Sequence, residues 1–158
     1  MFPALPLRLV NTSPRFEVRT TIRAPRSFVY EKLADPNGLV RLIRTYTAID
    51  SVKKEGDIEV IEGRIEVMGR RGKAKLRRKY FPPERIEEVA SVPGMAEAKQ
   101  TLTFSESPEG TAVLFATDAQ LKGAFAKLLG RFATGKLKRT VEENFQYAKG
   151  LLEMEAAA

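Results

Sequence analysis

The chain has neither cysteine nor histidine among its 158 residues. The first absence excludes disulfides, thiolate nucleophiles and thiolate metal sites. The second removes the commonest general base and the commonest transition-metal ligand. A zinc site built from carboxylates alone would be unusual, so no metal and no other cofactor is expected. No nucleophile–base pair can be assembled from what remains. A tyrosine or carboxylate acid/base stays open, but the spacing singles out no catalytic residue. A membrane span is missing too. Residues 1–10 are apolar, but the stretch is too short for a bilayer and is broken by Pro3 and Pro6. It also lacks the basic front and small-residue cleavage site of a signal peptide. A cytoplasmic protein is expected.

What is present suits one folded domain, since domains commonly run to about 100–150 residues. Hydrophobic residues make up 43% of the chain, an ordinary share that argues against disorder. The formal net charge is +7, and much of it is local. Arg64, Arg70, Arg71, Lys73, Lys75, Arg77, Arg78 and Lys79 fall within residues 64–79 against one acid, Glu66.

The apolar pattern organises the chain round its last part. Across residues 123–155, Phe125, Leu128, Leu129, Phe132, Leu137, Val141, Phe145, Ala148, Leu151 and Leu152 recur mostly at steps of three and four, one face of a helix. An ordinary helix has about 11–12 residues, so one this long must lie along something equally long. Alternation predicts strands at 16–23, 45–53, 58–68, 73–81, 85–92, 96–105 and 111–121. Short helices are predicted at 27–34 and 39–43, separated by Asp35-Pro36-Asn37-Gly38. In the third strand Ile58 and Val60 share one parity while Ile61, Gly63, Ile65 and Val67 share the other, which suggests a β-bulge near the glycine. Residues 69–72 read as a turn. The expected fold is α+β: a seven-stranded curved antiparallel sheet wrapped round a long C-terminal helix, with two short helices between strands one and two. The expected organisation is an irregular arm over 1–14, a single domain over 15–155 and a frayed tail over 156–158. Leu5, Leu7 and Leu9 alternate in the arm, which would pack on its own sheet or on a second copy of the chain as a homodimer.

This order of elements resembles the START/SRPBCC superfamily, the helix-grip fold. The residues that carry the likeness are Ala24-Pro25 before Phe28-Val29-Tyr30, then Asp35-Pro36 before Leu39, Gly110-Thr111 leading into the last strand, and the Gly123-anchored helix. The run from Leu121 to Gly130 looks most like the carbon-monoxide dehydrogenase branch of that superfamily, close to the polyketide cyclases. The likeness covers about residues 16–152. It implies a cavity under the terminal helix for an apolar or amphipathic small molecule, lipid-like, polyketide-like or quinone-like. It does not imply one chemistry.

Strand parity turns Arg78, Tyr80 and Gln100 toward the helix, with Tyr46 and Thr117 as further polar candidates. Phe104, Phe115, Phe125, Leu128, Leu129 and Phe132 would supply the apolar walls, and Ala98, with Gly63, Ala74 and Ala96, the volume. These twelve are the candidate ligand-binding residues: Tyr46, Arg78, Tyr80, Ala98, Gln100, Phe104, Phe115, Thr117, Phe125, Leu128, Leu129 and Phe132. The plain packing explanation pairs Arg78 with an acid such as Asp118, leaves the tyrosines half-buried and lets the small residues pack closely.

Two basic features compete with the cavity. Lys73, Lys75, Arg77 and Lys79 fall on one face of a strand, the outer one. Glu62, Glu66, Glu87 and Glu88 on neighbouring strands could pair with them, and no aromatic side chains interleave, so specific nucleic-acid binding is not expected. Lys122, Lys127 and Arg131 open the terminal helix, where cations oppose the helix dipole, and Gly130 and Gly135 weaken it. A kink, a mobile segment, a contact with a membrane or partner protein, or a solvated face would each account for them. Three functions remain: a binding protein for a hydrophobic molecule; a cyclase/dehydratase-type enzyme using Tyr46, Tyr80 or Arg78 to polarise a carbonyl; and an accessory protein docking through its basic surface. Missing histidine favours binding over catalysis.

Overall fold

The computed structural model describes residues 13–158, so nearly all of the expected arm, with its contact to a second copy of the chain, lies outside the described residues. The elements run β1 (Arg15–Ile22), α1 (Arg26–Ala34), α2 (Pro36–Leu42), β2 (Tyr46–Glu55), β3 (Ile58–Val67), β4 (Arg70–Phe81), β5 (Arg85–Val92), β6 (Ala96–Ser107), β7 (Gly110–Leu121), α3 (Gly123–Leu129), a 3₁₀ turn (Gly130–Phe132) and α4 (Ala133–Ala157). The seven strands form one sheet in the order β1-β7-β6-β5-β4-β3-β2, every neighbouring pair antiparallel. Consecutive strands from β2 to β7 are joined by hairpins. β1 closes on β7, and α4 packs across the sheet against β1. This is the expected seven-stranded antiparallel sheet gripping a long C-terminal helix.

Local chemistry explains the helical insert. Pro36 disfavours helix at Asp35, which turns extended and ends α1. The Asp35 carboxylate then accepts the Asn37 amide at 3.0 Å and caps α2, with Pro36 in its first turn.

Four boundaries differ from expectation. The bulges lie on β2, not β3: the register slips between Tyr46 and Ala48 and again between Ile49 and Ser51, while β3 pairs with β4 without a slip. Gly63 is nonetheless part of the device, because a Cβ there would sit 2.6 Å from the Ala48 carbonyl oxygen. The turn before β4 is formed by Met68 and Gly69, both at positive φ, and the strand already starts at Arg70. The terminal helix is two helices. Gly130 at φ 59° and ψ −148° cannot continue α3, and α4 starts afresh at Ala133. The end of the chain, expected to fray, stays helical to Ala157. Glu155 holds it there through ion pairs with Arg41 and with Lys32.

The core is divided. One cluster joins α1, β1, β6, β7 and the C-terminal half of α4 through Ile22, Val29, Tyr30, Phe104, Phe145 and Leu152. A second joins Met95 and Leu121 to Phe125, Leu129 and Ala133.

Candidate functional site

Across the concave face, one polar residue from each of four adjacent strands stands in register: Arg78 opposite Glu88, Glu88 opposite Gln100, Gln100 opposite Thr117. They are bonded in series. Arg78 Nε donates to Glu88 Oε2 at 2.8 Å, Gln100 Nε2 donates to Glu88 Oε1 at 2.8 Å, and Thr117 Oγ1 donates to Gln100 Oε1 at 3.3 Å. Arg78 is 1% exposed and Glu88 6%, so the pair is a buried one. The guanidinium also donates to the Leu33 carbonyl at 3.0 Å and the Ala34 carbonyl at 3.3 Å. These are open acceptors at the C-terminus of α1, the end of a helix that favours a cation. Burial works to lower the Arg78 pKa, but the Glu88 charge, with Tyr80, Tyr46 and the Glu88 hydrogen bond, more than offsets it, and the pKa rises. Arg78 therefore stays charged and fully engaged.

Between this row and α4 lie two adjoining chambers. The larger, about 210 Å³, is bounded by Tyr46, Leu76, Arg78, Ala90, Asn144 and Phe145. The smaller, about 160 Å³, is bounded by Met95, Ala96, Ala98, Ala119, Phe125 and Leu137. Ile65, Val92, Gln100, Phe115 and Val141 belong to both. Alanines line the space because the concave positions of β5, β6 and β7 carry them where other strands carry leucine. A cavity of about 150 Å³ holds a benzene-sized molecule, so either chamber alone suits one ring and the two together an elongated apolar body.

Of the candidate residues, Tyr46, Arg78, Ala98, Gln100, Phe115, Thr117 and Phe125 line one chamber or both. The others do not. Phe104 is 2% exposed and sits edge-on to Tyr30 in the packed core, with ring centroids 5.1 Å apart. Leu129 is buried in the second cluster. Leu128 and Phe132 face outward, 51% and 64% exposed, because the left-handed break at Gly130 disrupts the helical face that the spacing implied. Tyr80 lies beyond Arg78 under the α1–α2 junction, donating to the Ala34 carbonyl at 3.2 Å and to Glu59. Burial and Glu59 raise its pKa against the opposing charge of Arg78. Asp118 pairs with Arg15 at 2.8 Å on the other side of the sheet and is not the partner of Arg78.

Tyr46 is the polar group left facing space. Its hydroxyl has no hydrogen-bond partner among the described residues, and burial, reinforced by Glu88 and opposed by Arg78, raises its pKa. It is a hydrogen-bond donor at neutral pH and not a base. Sequence reasoning missed Glu88, Thr45 and Asn144. The last two join at 2.9 Å, Asn144 Nδ2 to Thr45 Oγ1, in the wall of the larger chamber. A charged residue at the parity of Ile86 and Ala90 was the available signal for Glu88.

The basic row Lys73, Lys75, Arg77 and Lys79 lies on the convex face. Its ion pairs run to the β2–β3 hairpin, Arg77 to Glu55 at 3.3 Å and Lys79 to Asp57 at 3.3 Å, and not to the four glutamates expected. Glu66 pairs with Arg71 instead at 3.2 Å. Among the described residues, no cluster of acidic side chains could hold a metal and no helix is long and apolar enough to cross a membrane.

No family model and no curated protein matches the sequence. Solved structures match the fold. The di-domain ARO/CYC StfQ of the steffimycin biosynthetic pathway superposes with a TM-score of 0.75 at 15% identity, covering 95% of this chain and 54% of that one. The chain thus spans about half of that protein. The ZhuI aromatase/cyclase from Streptomyces sp. R1128 superposes with a TM-score of 0.72 at 19% identity, over 92% of this chain and 94% of ZhuI. TTHA0849 from Thermus thermophilus gives 0.75 at 19% identity, over 92% and 99%. On sheet order, helical insert and terminal helix together, the chain has the helix-grip fold of the START/SRPBCC superfamily.

Proposed function

We propose that the protein binds a hydrophobic or amphipathic small molecule in the paired chambers between sheet and α4, without transforming it. The observation that carries this reading is the alanine-lined space itself, apolar on most sides with Tyr46 and Gln100 as sparse polar contacts. A filled core would have placed large side chains opposite Leu137 and Val141. A ligand with one carbonyl or hydroxyl would set it against the Tyr46 hydroxyl and its apolar body along Phe115 and Val141.

A cyclase-type step has one observation in its favour, the aromatase/cyclases among the fold neighbours. The side chains support it poorly. Tyr46 can polarise a carbonyl by donation but is held protonated. Arg78 is bound by Glu88 and two backbone carbonyls and has no open face to offer.

The test is uptake of an apolar fluorescent probe, with native mass spectrometry of the purified protein for a co-purifying molecule. Wild type should take up the probe, and Ala98→Phe should abolish uptake while leaving the melting temperature unchanged or higher. The reading fails if wild type takes up no probe and the variant loses about 1–3 kcal/mol of stability, as an overpacked core would.

A further inference from the structure

We propose that α3, the turn after it and the first turns of α4 form a docking surface for an anionic lipid bilayer. This rests on the reading of the chambers as a site for apolar cargo, and says where that cargo is exchanged. Residues 119–141 contain no acid, yet hold Lys122, Lys127, Arg131, Lys136, Lys138 and Arg139. Lys122 pairs with Glu97 at 3.3 Å, and the other five have no ion-pair partner among the described residues.

Leu128 and Phe132 stand among these cations, 51% and 64% exposed. The inward side of α3 is already satisfied, with Phe125 and Leu129 buried at 3% and 2%. The outward pair therefore contributes nothing to the core. A surface for nucleic acid or for an acidic protein would account for the cations and leave Leu128 and Phe132 unexplained. A bilayer accounts for both, with headgroups drawing the cations and the acyl boundary taking the two apolar side chains. The placement also fits the cargo, because Phe125 and Leu137 of the same segment line the smaller chamber. Cargo leaving the bilayer would meet the chamber beside this surface.

The experiment is co-sedimentation of the full chain with phosphatidylcholine vesicles, with and without phosphatidylglycerol, alongside probe uptake in vesicle-free solution. Binding should require the anionic lipid and weaken with salt. Lys127→Glu with Arg131→Glu should lower the partition coefficient at least about 25-fold, at about fivefold per cation lost. Leu128→Ser with Phe132→Ser should lower it about tenfold or more. Both variants should keep wild-type probe uptake, which also shows that they fold. The proposal is overturned by no binding to anionic vesicles, by equal binding to pure phosphatidylcholine, or by binding that survives either double variant. It is also overturned if an oligonucleotide or polyglutamate is held as tightly as the vesicles and Leu128→Ser with Phe132→Ser changes nothing. Lost docking with intact uptake removes the bilayer and keeps the chambers. Docking without uptake does the reverse.

Discussion

Toward its C-terminal end α4 buries Phe145, Ala148 and Leu152 against β1 and the short helices, while toward its N-terminal end Leu137 and Val141 stand over alanine, threonine and glutamine. The polar contacts divide the same way. At the packed end Glu155 reaches Arg41 and Lys32, Lys149 donates to the Thr21 carbonyl, and Glu153 accepts the Arg23 amide at 2.8 Å. At the hollow end the cations of residues 127–139 find no such partners among the described residues. Anchoring the helix at one end lets the other keep a cavity without losing the fold. The buried Arg78–Glu88 pair stands where the two regimes meet, tying α1 to the sheet on one side and walling the larger chamber on the other.

Breaking that junction should have the largest effect. Arg78→Leu leaves Glu88 charged and unpaired in the interior and strips two carbonyls of α1 of their donors. A loss of about 3–5 kcal/mol in denaturant unfolding is expected. Adding Glu88→Leu should recover part of it, and the unpaired carbonyls explain why not all. A loss below about 1 kcal/mol for the single variant would mean that water reaches the pair.

The two regimes can be compared with the same substitution on the same helix. Leu152 is fully buried in the packed cluster, so Leu152→Ala should cost about 2–5 kcal/mol. Leu137 is partly exposed and borders existing space, so Leu137→Ala should cost under about 1 kcal/mol and enlarge the smaller chamber, allowing a bulkier probe to enter. Equal losses would erase the distinction.

Gly130 and Gly135 look alike in the sequence and differ in the structure. Gly130 is left-handed with open space round it, so Gly130→Ala should cost about 1–2 kcal/mol from backbone strain alone. Gly135 sits inside α4, and a Cβ added there would meet nothing within 4 Å. Gly135→Ala should therefore stabilise by about 0.4–1 kcal/mol. Thermal unfolding of both variants reads the opposite signs directly.

The same contrast explains what could be read in advance. Strands, hairpins and short helices are legible because alternation, prolines and glycines act locally, and the parity of Arg78 and Gln100 puts both on the concave face. Phe104 and Phe115 share that face with the same residue type, yet one is core and the other cavity wall. Which is which depends on where α4 crosses, and no local pattern records that. Spacing misplaces Leu128 and Phe132 because helical periodicity assumes an unbroken helix, and one left-handed glycine ends it. Glu88 reads as a surface partner of the lysine row because the Glu87-Glu88 pair is polar. Its neighbours Ile86 and Ala90 carry the contrary signal.

The smallest expected effect tests the packed end through pH. Glu153 accepts the Arg23 backbone amide and the Lys149 ammonium, in that order of influence, and both hold its pKa below the usual 4.5. A carboxylate depressed in the folded state adds stability that is present above its unfolded pKa and lost as pH falls through the folded one. The contribution should thus be complete at neutral pH and decline below about 4.5. The carboxylate is partly exposed and screened, so it is worth about 0.5 kcal/mol. Glu153→Gln should lower stability by that amount at pH 7, and the difference from wild type should vanish at low pH. If the difference persisted in acid, the amide contact and not the charge would be what holds the end of α4 to the strand.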